Sequence, residues 1–476
     1  MSNSDLHTTL VVVGAGMAGF ATALQAAQAG HDVILLEKLE ETGGSSAMSG
    51  GCLAFAGTDL QAADGVEDSS ELLFKDLREV GKFENDENLV RAYVDNQLDT
   101  YEWMKQAGVQ FGPHVETSSG QSVPRVHNVD PADAVRALAA AAKRTGRVQL
   151  MTGTQALRLV RAPSASSDAG DSNELGDARE GRVIGVVAHR DGVPFKILGS
   201  HGVVLTSGGF VQNAELIHRY APQYNEDTAV FIGGAGNTGD GLKMAQQLGA
   251  DCRDMLYIKG TYGKHPTDDT NHHSLLAVYK GAIAVNQDGK RYVDESISYK
   301  LLGDACIQQP YSATFQIFDQ AIFDSGDNQT RILDIERRHE EGLVIQADTL
   351  EALAELIEVP AAVLVDTVAT YNRDVDAGHD AEFGRAHLVH QHGKLVKIET
   401  GPFYAYPSTA AVYGTYCGLC VDAAMRVLDV YGESIAGLYA AGEVVGGLHG
   451  AAYMTGSALG KAAIFGRIAA RTALAG

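Results

Sequence analysis

A strand that runs straight into a glycine turn and out into a helix constrains this chain more than any other feature. Leu10-Val11-Val12-Val13 is an apolar run of the length and type of a fully buried parallel strand. It ends in Gly14-Ala15-Gly16-Met17-Ala18-Gly19, a G-x-G-x-x-G placed where a strand should become a helix. Gly14 permits the tight turn, Gly16 lets the backbone approach a pyrophosphate, and Gly19 lets helix and strand pack closely. Phe20 to Ala29 reads as an alanine-rich helix whose amino-terminal amides face the phosphates, and Gly30 ends it. Val33-Ile34-Leu35-Leu36 is the second strand. Glu37 closes it, where an acid hydrogen-bonds a ribose 2′-hydroxyl and disfavours a 2′-phosphate. Strand, glycines, helix, second strand and acid fall in order, so this segment is expected to bind a dinucleotide.

The next segment chooses the dinucleotide. Gly43-Gly44-Ser45-Ser46 follows Glu37-Lys38 directly and leads into Ser49-Gly50-Gly51, a second set of small residues and hydroxyls. Nicotinamide dehydrogenases normally carry nothing comparable here. The stretch resembles the FAD-binding start of the fumarate reductase and 3-ketosteroid dehydrogenase superfamily, where it runs beside the pyrophosphate and the flavin. Covalently flavinylated members carry a histidine in this segment. None occurs between Gly43 and Gly51, so the resemblance implies non-covalent FAD, with Ala18, Lys38 and Ala156 among its contacts.

At 476 residues the chain can bury a large core and is expected to hold two domains, or a core with an insertion. A formal net charge of −23 argues against general affinity for nucleic acid or anionic lipid. Met1 to Thr9 is polar, so no secretory signal is expected, and no apolar stretch reaches the roughly 18 residues of a transmembrane helix. The five cysteines, Cys52, Cys252, Cys306, Cys417 and Cys420, are scattered and odd in number, which fits a reducing cytoplasm better than a disulfide framework.

Ser69 to Gly108 reads as helices with Asp68-Ser69-Ser70-Glu71 as a cap, and Asp130-Pro131 opens another over Ala132 to Lys143. Val148 to Val160 and Val183 to His189 read as strands. Between them Ala162 to Gly181, rich in Ser, Asp, Gly and Ala, is expected to be an exposed loop. Val203-Val204-Leu205 is a further buried strand, ending in Thr206-Ser207-Gly208-Gly209-Phe210. Gly236-Asn237-Thr238-Gly239-Asp240-Gly241 then starts a helix over Leu242 to Leu248. These stretches resemble the second and third legs of an FAD domain, with Ser207, Gly208, Thr238 and Asp240 near the cofactor.

Mixed polar and aromatic segments from about Lys259 to Val412 resemble the superfamily's capping domain. Gly437-Leu438-Tyr439-Ala440-Ala441-Gly442-Glu443 is similar to its GLYAAGE, which brings Gly442 and Glu443 to the ribityl chain. His449 to Ser457 is a glycine-rich loop, followed by a helix over Ala458 to Ala475. The amino end of that helix, with Ser457 and Leu459, is expected at the flavin pyrimidine, where partial positive charge favours an anion. The fold expected is α/β: a Rossmann-like FAD-binding domain of glutathione-reductase type with an inserted α+β capping domain. The division expected is residues 1–258 and 413–476 for the first and 259–412 for the second.

Members of this architecture transfer a hydride at one carbon of a C–C bond while a protein group moves a proton at the next. That neighbouring carbon is acidified by a carbonyl or carboxylate, so the site needs a proton carrier and an electrophilic clamp. Gly281 to Glu295, GAIAVNQDGKRYVDE, is very like the family's GAILVNRDGKRFVNE. A few residues beyond it, fumarate reductases carry a proton-donating arginine in a TTRDK-like segment; here Ser296-Ile297-Ser298-Tyr299-Lys300 puts Tyr299 in its place. The fumarate-type HGANRLGGNA loop carries a second arginine; here His449 to Ala458 reads HGAAYMTGSA, with Tyr453 at that position. The histidine pair before the family's TMGG is replaced by Tyr413-Gly414, followed by Thr415-Tyr416-Cys417-Gly418. Losing both arginines removes the charge that would hold a dicarboxylate and the acid that would protonate it.

Two tyrosines in those places resemble the 3-ketosteroid dehydrogenases. By that resemblance Tyr299 is the base that removes the proton alpha to a carbonyl. Tyr453 stabilises the enolate oxygen, with the amide of Ser457 or the hydroxyl of Thr455. A tyrosine's ordinary pKa near 10 is high for a base, so nearby positive charge has to lower it, and Lys300 is the neighbour in sequence. His265-Pro266-Thr267 resembles the family's HPT, whose histidine binds a substrate carboxylate. His265, Arg125, His127 and Tyr416 are therefore further substrate-binding candidates. Cys417-x-x-Cys420 and His272-His273 lack the partners of a metal or redox motif, and no metal is expected. The function expected is an FAD-dependent desaturase of a 3-ketosteroid or of a smaller cyclic ketone such as 4-oxocyclohexanecarboxylate. The alternative is a reductase of an unsaturated acid of fumarate or urocanate type. Either would need an external electron carrier, such as a quinone, a protein, a dye or oxygen.

Overall fold

The computed structural model describes residues 5–162, 181–225, 227–267 and 273–476, with Lys259 described by its backbone alone. Its first layer is a six-stranded sheet in the order Arg426–Leu428, Ser434–Ala440, Val203–Leu205, Leu10–Val13, Val33–Leu36, Val148–Met151. All pairings but the first are parallel, with Leu10 opposite Val33 and Val203 opposite Val11. Every residue of Leu10–Val13 and Val33–Leu36 is buried, as expected for strands covered on both faces.

The first helix is Met17–Gln28, three residues earlier than the apolar pattern suggested. Gly14, at φ +105°, completes the turn within one residue, and Gly16 is already the extended residue before the helix. A Cβ on Gly19 would lie 1.9 Å from the Gly14 carbonyl oxygen. Gly19→Ala is therefore expected to destabilise the domain by about 1–3 kcal/mol and to lower bound flavin, read as the 450 to 280 nm absorbance ratio. An unchanged ratio and melting temperature would show that the turn yields. The helix crosses Ser457–Ala475 closely: Thr22 Oγ1 donates to the Gly466 carbonyl at 3.0 Å.

Val148 to Val160 is two strands rather than one, Val148–Met151 and Gln155–Arg161, with Gly153 at φ +59° between them. The first completes the parallel sheet beside Val33–Leu36; the second pairs antiparallel with Val183–Arg190 in a separate four-stranded sheet. Residues 163–180 of the expected loop lie outside the described residues. Ser70–Val80 and Glu87–Ala107 form with Ser69 and Asp86 as side-chain caps, and Pro131–Arg144 with Asp130.

A second apolar core extends from Tyr262 to Tyr406 and takes in Tyr416 and Tyr453. Its sheet is centred on the 13-residue strand Phe403–Thr415, which pairs with Ala229–Phe231, Ile258–Lys264, Ala313–Asp319 and Ile345–Ala347. A buried ion network holds the surrounding segments: Arg291 bridges Glu295 and Asp380, and Arg385 reaches Glu295. No helix among the described residues is long and apolar enough to cross a membrane.

Candidate active site

One cavity runs from the glycine turn to the second core. Gly14, Gly16, Ala18 and Glu37 line its first end, with Gly43, Gly44, Ser45 and Ser46 opposite. The segment Gly44–Met48 is a short helix, and Ser46 Oγ accepts from the Met17 amide at 3.2 Å. Glu37 accepts from the amides of Ala15 and Leu39, both at 3.0 Å, which leaves its carboxylate capacity for a hydroxyl. Lys38 bridges Asp240 at 2.9 Å and also meets Thr238. Ser49, Gly50, Ala156, Ser207, Gly208, Gly442, Glu443 and Leu459 complete this part of the wall. Glu443 is fixed by the Asn237 side chain and the Thr415 amide. The N-caps of Met17–Gln28 and Ser457–Ala475, Gly16 and Gly456, both line the cavity and neither offers a side-chain cap. The positive ends of two helix dipoles thus face one space.

At the other end four rings from three segments meet. Tyr299 and Tyr453 have centroids 5.5 Å apart. Tyr416 stacks on Tyr453 at 5.3 Å and 7°. His449 lies 4.9 Å from Tyr416 and 5.3 Å from Tyr453. Hydrogen bonds set the spacing: Ser298 Oγ and Ser119 Oγ both donate to the Tyr453 carbonyl, at 3.0 and 3.1 Å, and the Tyr299 amide donates to Ser119 Oγ at 3.4 Å. The Tyr453 phenol oxygen accepts from the Ala458 amide at 3.3 Å, at the amino end of Ser457–Ala475. That bond polarises its own O–H as a donor. The Tyr416 hydroxyl is fully buried and has no hydrogen-bond partner among the described residues. Burial pushes the Tyr299 phenol well above its ordinary pKa, with Tyr453 and Tyr416 adding to the effect.

Several expected residues stand elsewhere. Arg125 is fully buried in a bidentate pair with Asp68 and a bridge to Asp76, both at 2.6–2.7 Å, and is a structural cation rather than a substrate ligand. His127 shares that interior, with Thr58 on Nε2 and the Arg125 carbonyl on Nδ1, and burial lowers its pKa to about 4. His265 is buried outside the described cavity wall, 5.5 Å from the Tyr406 ring and with Thr267 at Nδ1. Lys300 is paired with Asp304 rather than with the Tyr299 phenol. The Ser457 amide and hydroxyl both donate to the Met454 carbonyl, and the Thr455 hydroxyl, in the cavity wall, donates to Ser118 and lies close enough to influence the Tyr299 phenol. Gly19 and Gly51 serve packing: a Cβ on Gly51 would lie 2.0 Å from the Val129 carbonyl oxygen. Cys417 is buried core, all five cysteines are free, and His272 lies outside the described residues.

The family model described as an FAD binding domain matches residues 9–459. The chain belongs to the FAD-binding flavoprotein family. Within it the chain is related to the fumarate reductases and similar in structure to the 3-ketosteroid dehydrogenases. It is 31% identical to the probable fumarate reductase Ifc3 of Shewanella frigidimarina, over 91% of this chain and 69% of that one. It is 28% identical to the 4-oxocyclohexanecarboxylate 2-dehydrogenase of Sinomonas cyclohexanicum, over 90% and 86%. Among solved structures, the 3-ketosteroid-Δ4-(5α)-dehydrogenase of Rhodococcus jostii RHA1 superposes with a TM-score of 0.77 at 25% identity, covering 99% of this chain and 98% of that one.

This flavoprotein has residues that fit FAD. The Ser207 hydroxyl is buried in the cavity wall with no hydrogen-bond partner among the described residues, as a group held for a ligand would be. Glu37 would meet a ribose, and the two helix ends the pyrophosphate and the pyrimidine. Sequence reasoning missed His449, Tyr413, Arg331 and Lys461, all in the wall. His449 opens the very loop that carries Tyr453, so its position was readable there; nothing local marks Arg331.

Proposed function

We propose that this FAD-dependent oxidoreductase of CH–CH groups is a desaturase that removes an alpha proton and a beta hydride next to a ring ketone, giving an α,β-unsaturated ketone. The observation that carries the reading is the pair Tyr299 and Tyr453, with rings 5.5 Å apart in the cavity, at the two places where fumarate-type enzymes carry arginine. Phenols polarise a ketone but do not neutralise a dicarboxylate. Non-covalently bound FAD would supply the hydride acceptor. Tyr453, its oxygen held by the Ala458 amide, would donate to the ketone oxygen, and the partnerless Tyr416 hydroxyl stands beside it. Tyr299 would take the alpha proton. Residues 259–412 would form the cap over the substrate, and an external carrier would accept the electrons in a cytoplasmic setting.

The test is anaerobic flavin bleaching with 4-androstenedione, 5α-androstanedione, cyclohexanone, 4-oxocyclohexanecarboxylate and succinate. Bleaching by a ketone and not by succinate is expected. If none bleaches, and fumarate or urocanate reoxidises the dithionite-reduced protein, the chain is a reductase.

One observation favours that second reading. Burial holds Tyr299 in its protonated form, and a protonated phenol gives a proton rather than taking one. The two directions separate by pH. Below the phenol's pKa the phenolate fraction grows tenfold per unit, so desaturation kcat/KM should rise about tenfold per pH unit from pH 7 to 9. Reduction, which needs the phenol, should be flat over that range. A flat profile for desaturation would remove the phenolate from the mechanism.

A further inference from the structure

Among the described residues two buried hydroxyls of the cavity wall have no hydrogen-bond partner, those of Ser207 and Tyr416. Ser207 lies in the half that fits the cofactor. Tyr416 lies at the other end, where its ring stacks on Tyr453 at 5.3 Å and 7° and stands 4.9 Å from His449. It directly follows the long strand Phe403–Thr415, and its amide donates to the Tyr257 carbonyl at 3.1 Å, so the backbone that carries the ring is fixed.

A buried hydroxyl without a partner forfeits the hydrogen bonds it made to water in the unfolded chain. Phenylalanine would fill the same stack without that loss, so the Tyr416 oxygen lowers the stability of the ligand-free protein. The loss is recovered where an acceptor arrives with a ligand, and the neighbouring phenol marks which acceptor that is. In the ring-ketone reading Tyr453 gives one hydrogen bond to a ketone oxygen, and a carbonyl oxygen accepts two. Burial keeps the Tyr416 phenol protonated, the form that donates; the groups that add to the effect, Tyr453, Tyr224, Asp304 and Tyr279, are phenols and one carboxylate. As the alpha proton leaves, charge gathers on the ketone oxygen, where a donor shielded from water counts most.

We propose that the Tyr416 hydroxyl is the second hydrogen-bond donor to the substrate's ketone oxygen, completing with Tyr453 a two-phenol clamp for the enolate that forms there. The inference rests on the ring-ketone reading and deepens it. The hydroxyl is covered in the ligand-free protein, so binding shifts the stacked rings to bring it out, and the ligand's extra hydrogen bond drives that shift. Tyr416 is thus a residue whose oxygen costs the fold and serves the bound state, and the two effects of removing it have opposite signs.

The test compares wild type and Tyr416→Phe as holoenzymes, by melting temperature without ligand and by titration of the flavin absorbance. The ligands are 4-methylphenol, an unreactive ring whose oxygen stands in for the enolate, and 4-fluorotoluene, of similar shape without a good acceptor. The wild type is expected to bind the phenol more tightly than the fluoro compound. Tyr416→Phe should weaken phenol binding about 5- to 30-fold, leave 4-fluorotoluene within twofold, and melt at or above the wild-type temperature. A lower melting temperature would give the hydroxyl a structural partner instead. Equal loss for both ligands, no loss for either, no preference for the phenol in the wild type, or release of FAD from the variant would also overturn the assignment, the last by making Tyr416 a cofactor contact. Failure of the ring-ketone reading is separate. If no ketone bleaches the flavin but phenol binding still depends on Tyr416, the donor stands and the chemistry is reassigned. If a ketone bleaches wild type and Tyr416→Phe at rates within threefold, the chemistry stands and the second donor falls.

Discussion

Tyr299→Phe should lower turnover by about 10²- to 10⁴-fold, the range a positioned proton carrier contributes, while the flavin spectrum and melting temperature stay unchanged. The substitution removes one hydroxyl and keeps the ring that packs 5.5 Å from Tyr453. The amide bond from Tyr299 to Ser119 is also untouched, because it is made by the backbone. The phenol oxygen is the one feature deleted. Burial holds that phenol well above its ordinary range, so the substitution removes a neutral O–H and no buried charge, and stability should change little. Single-turnover reduction of the flavin by a ketone checks the prediction, because it isolates the chemical step. A rate within threefold of wild type would remove Tyr299 from the reaction in either direction.

The second large effect lies away from the cavity. Arg125→Leu should destabilise the fold by about 3–5 kcal/mol, the usual result of breaking a buried ion pair from one side. Arg125 is fully buried against Asp68 and Asp76, whose side chains are equally buried. With the guanidinium gone, two carboxylates remain in an interior that cannot solvate them. Chemical denaturation of the variant should show a lower midpoint, and KM for the best ketone should change little in the fraction that stays folded. A raised KM with an unchanged midpoint would return Arg125 to the substrate.

These two residues show what was legible in the sequence. Tyr299 and Tyr453 were readable because each sits inside a motif whose flanks fix its position, Gly281 to Glu295 for one and the His449 loop for the other. The glycine turn, its two strands and the caps at Ser69 and Asp130 were readable because their causes are local. Arg125 was misread because its partners lie 57 and 49 residues away, and no local pattern records such a pairing. His265 likewise carries a motif whose side chain the tertiary packing turns against Tyr406. Arg331 and the fixing of Glu443 by Asn237 depend on segments that meet only in the folded chain. Val148 to Val160 looked continuous because apolar alternation persists through a turn that one glycine makes.

The latch at the Tyr453 carbonyl has a consequence for how such a protein diversifies. Ser119 and Ser298 stand far apart in the chain and donate to the same carbonyl. The backbones that carry the two phenols are therefore tied together by four hydrogen bonds of 3.0–3.4 Å. Changes of substrate in a lineage built this way should accumulate elsewhere in the pocket wall, while the Ser119 and Ser298 hydroxyls stay fixed.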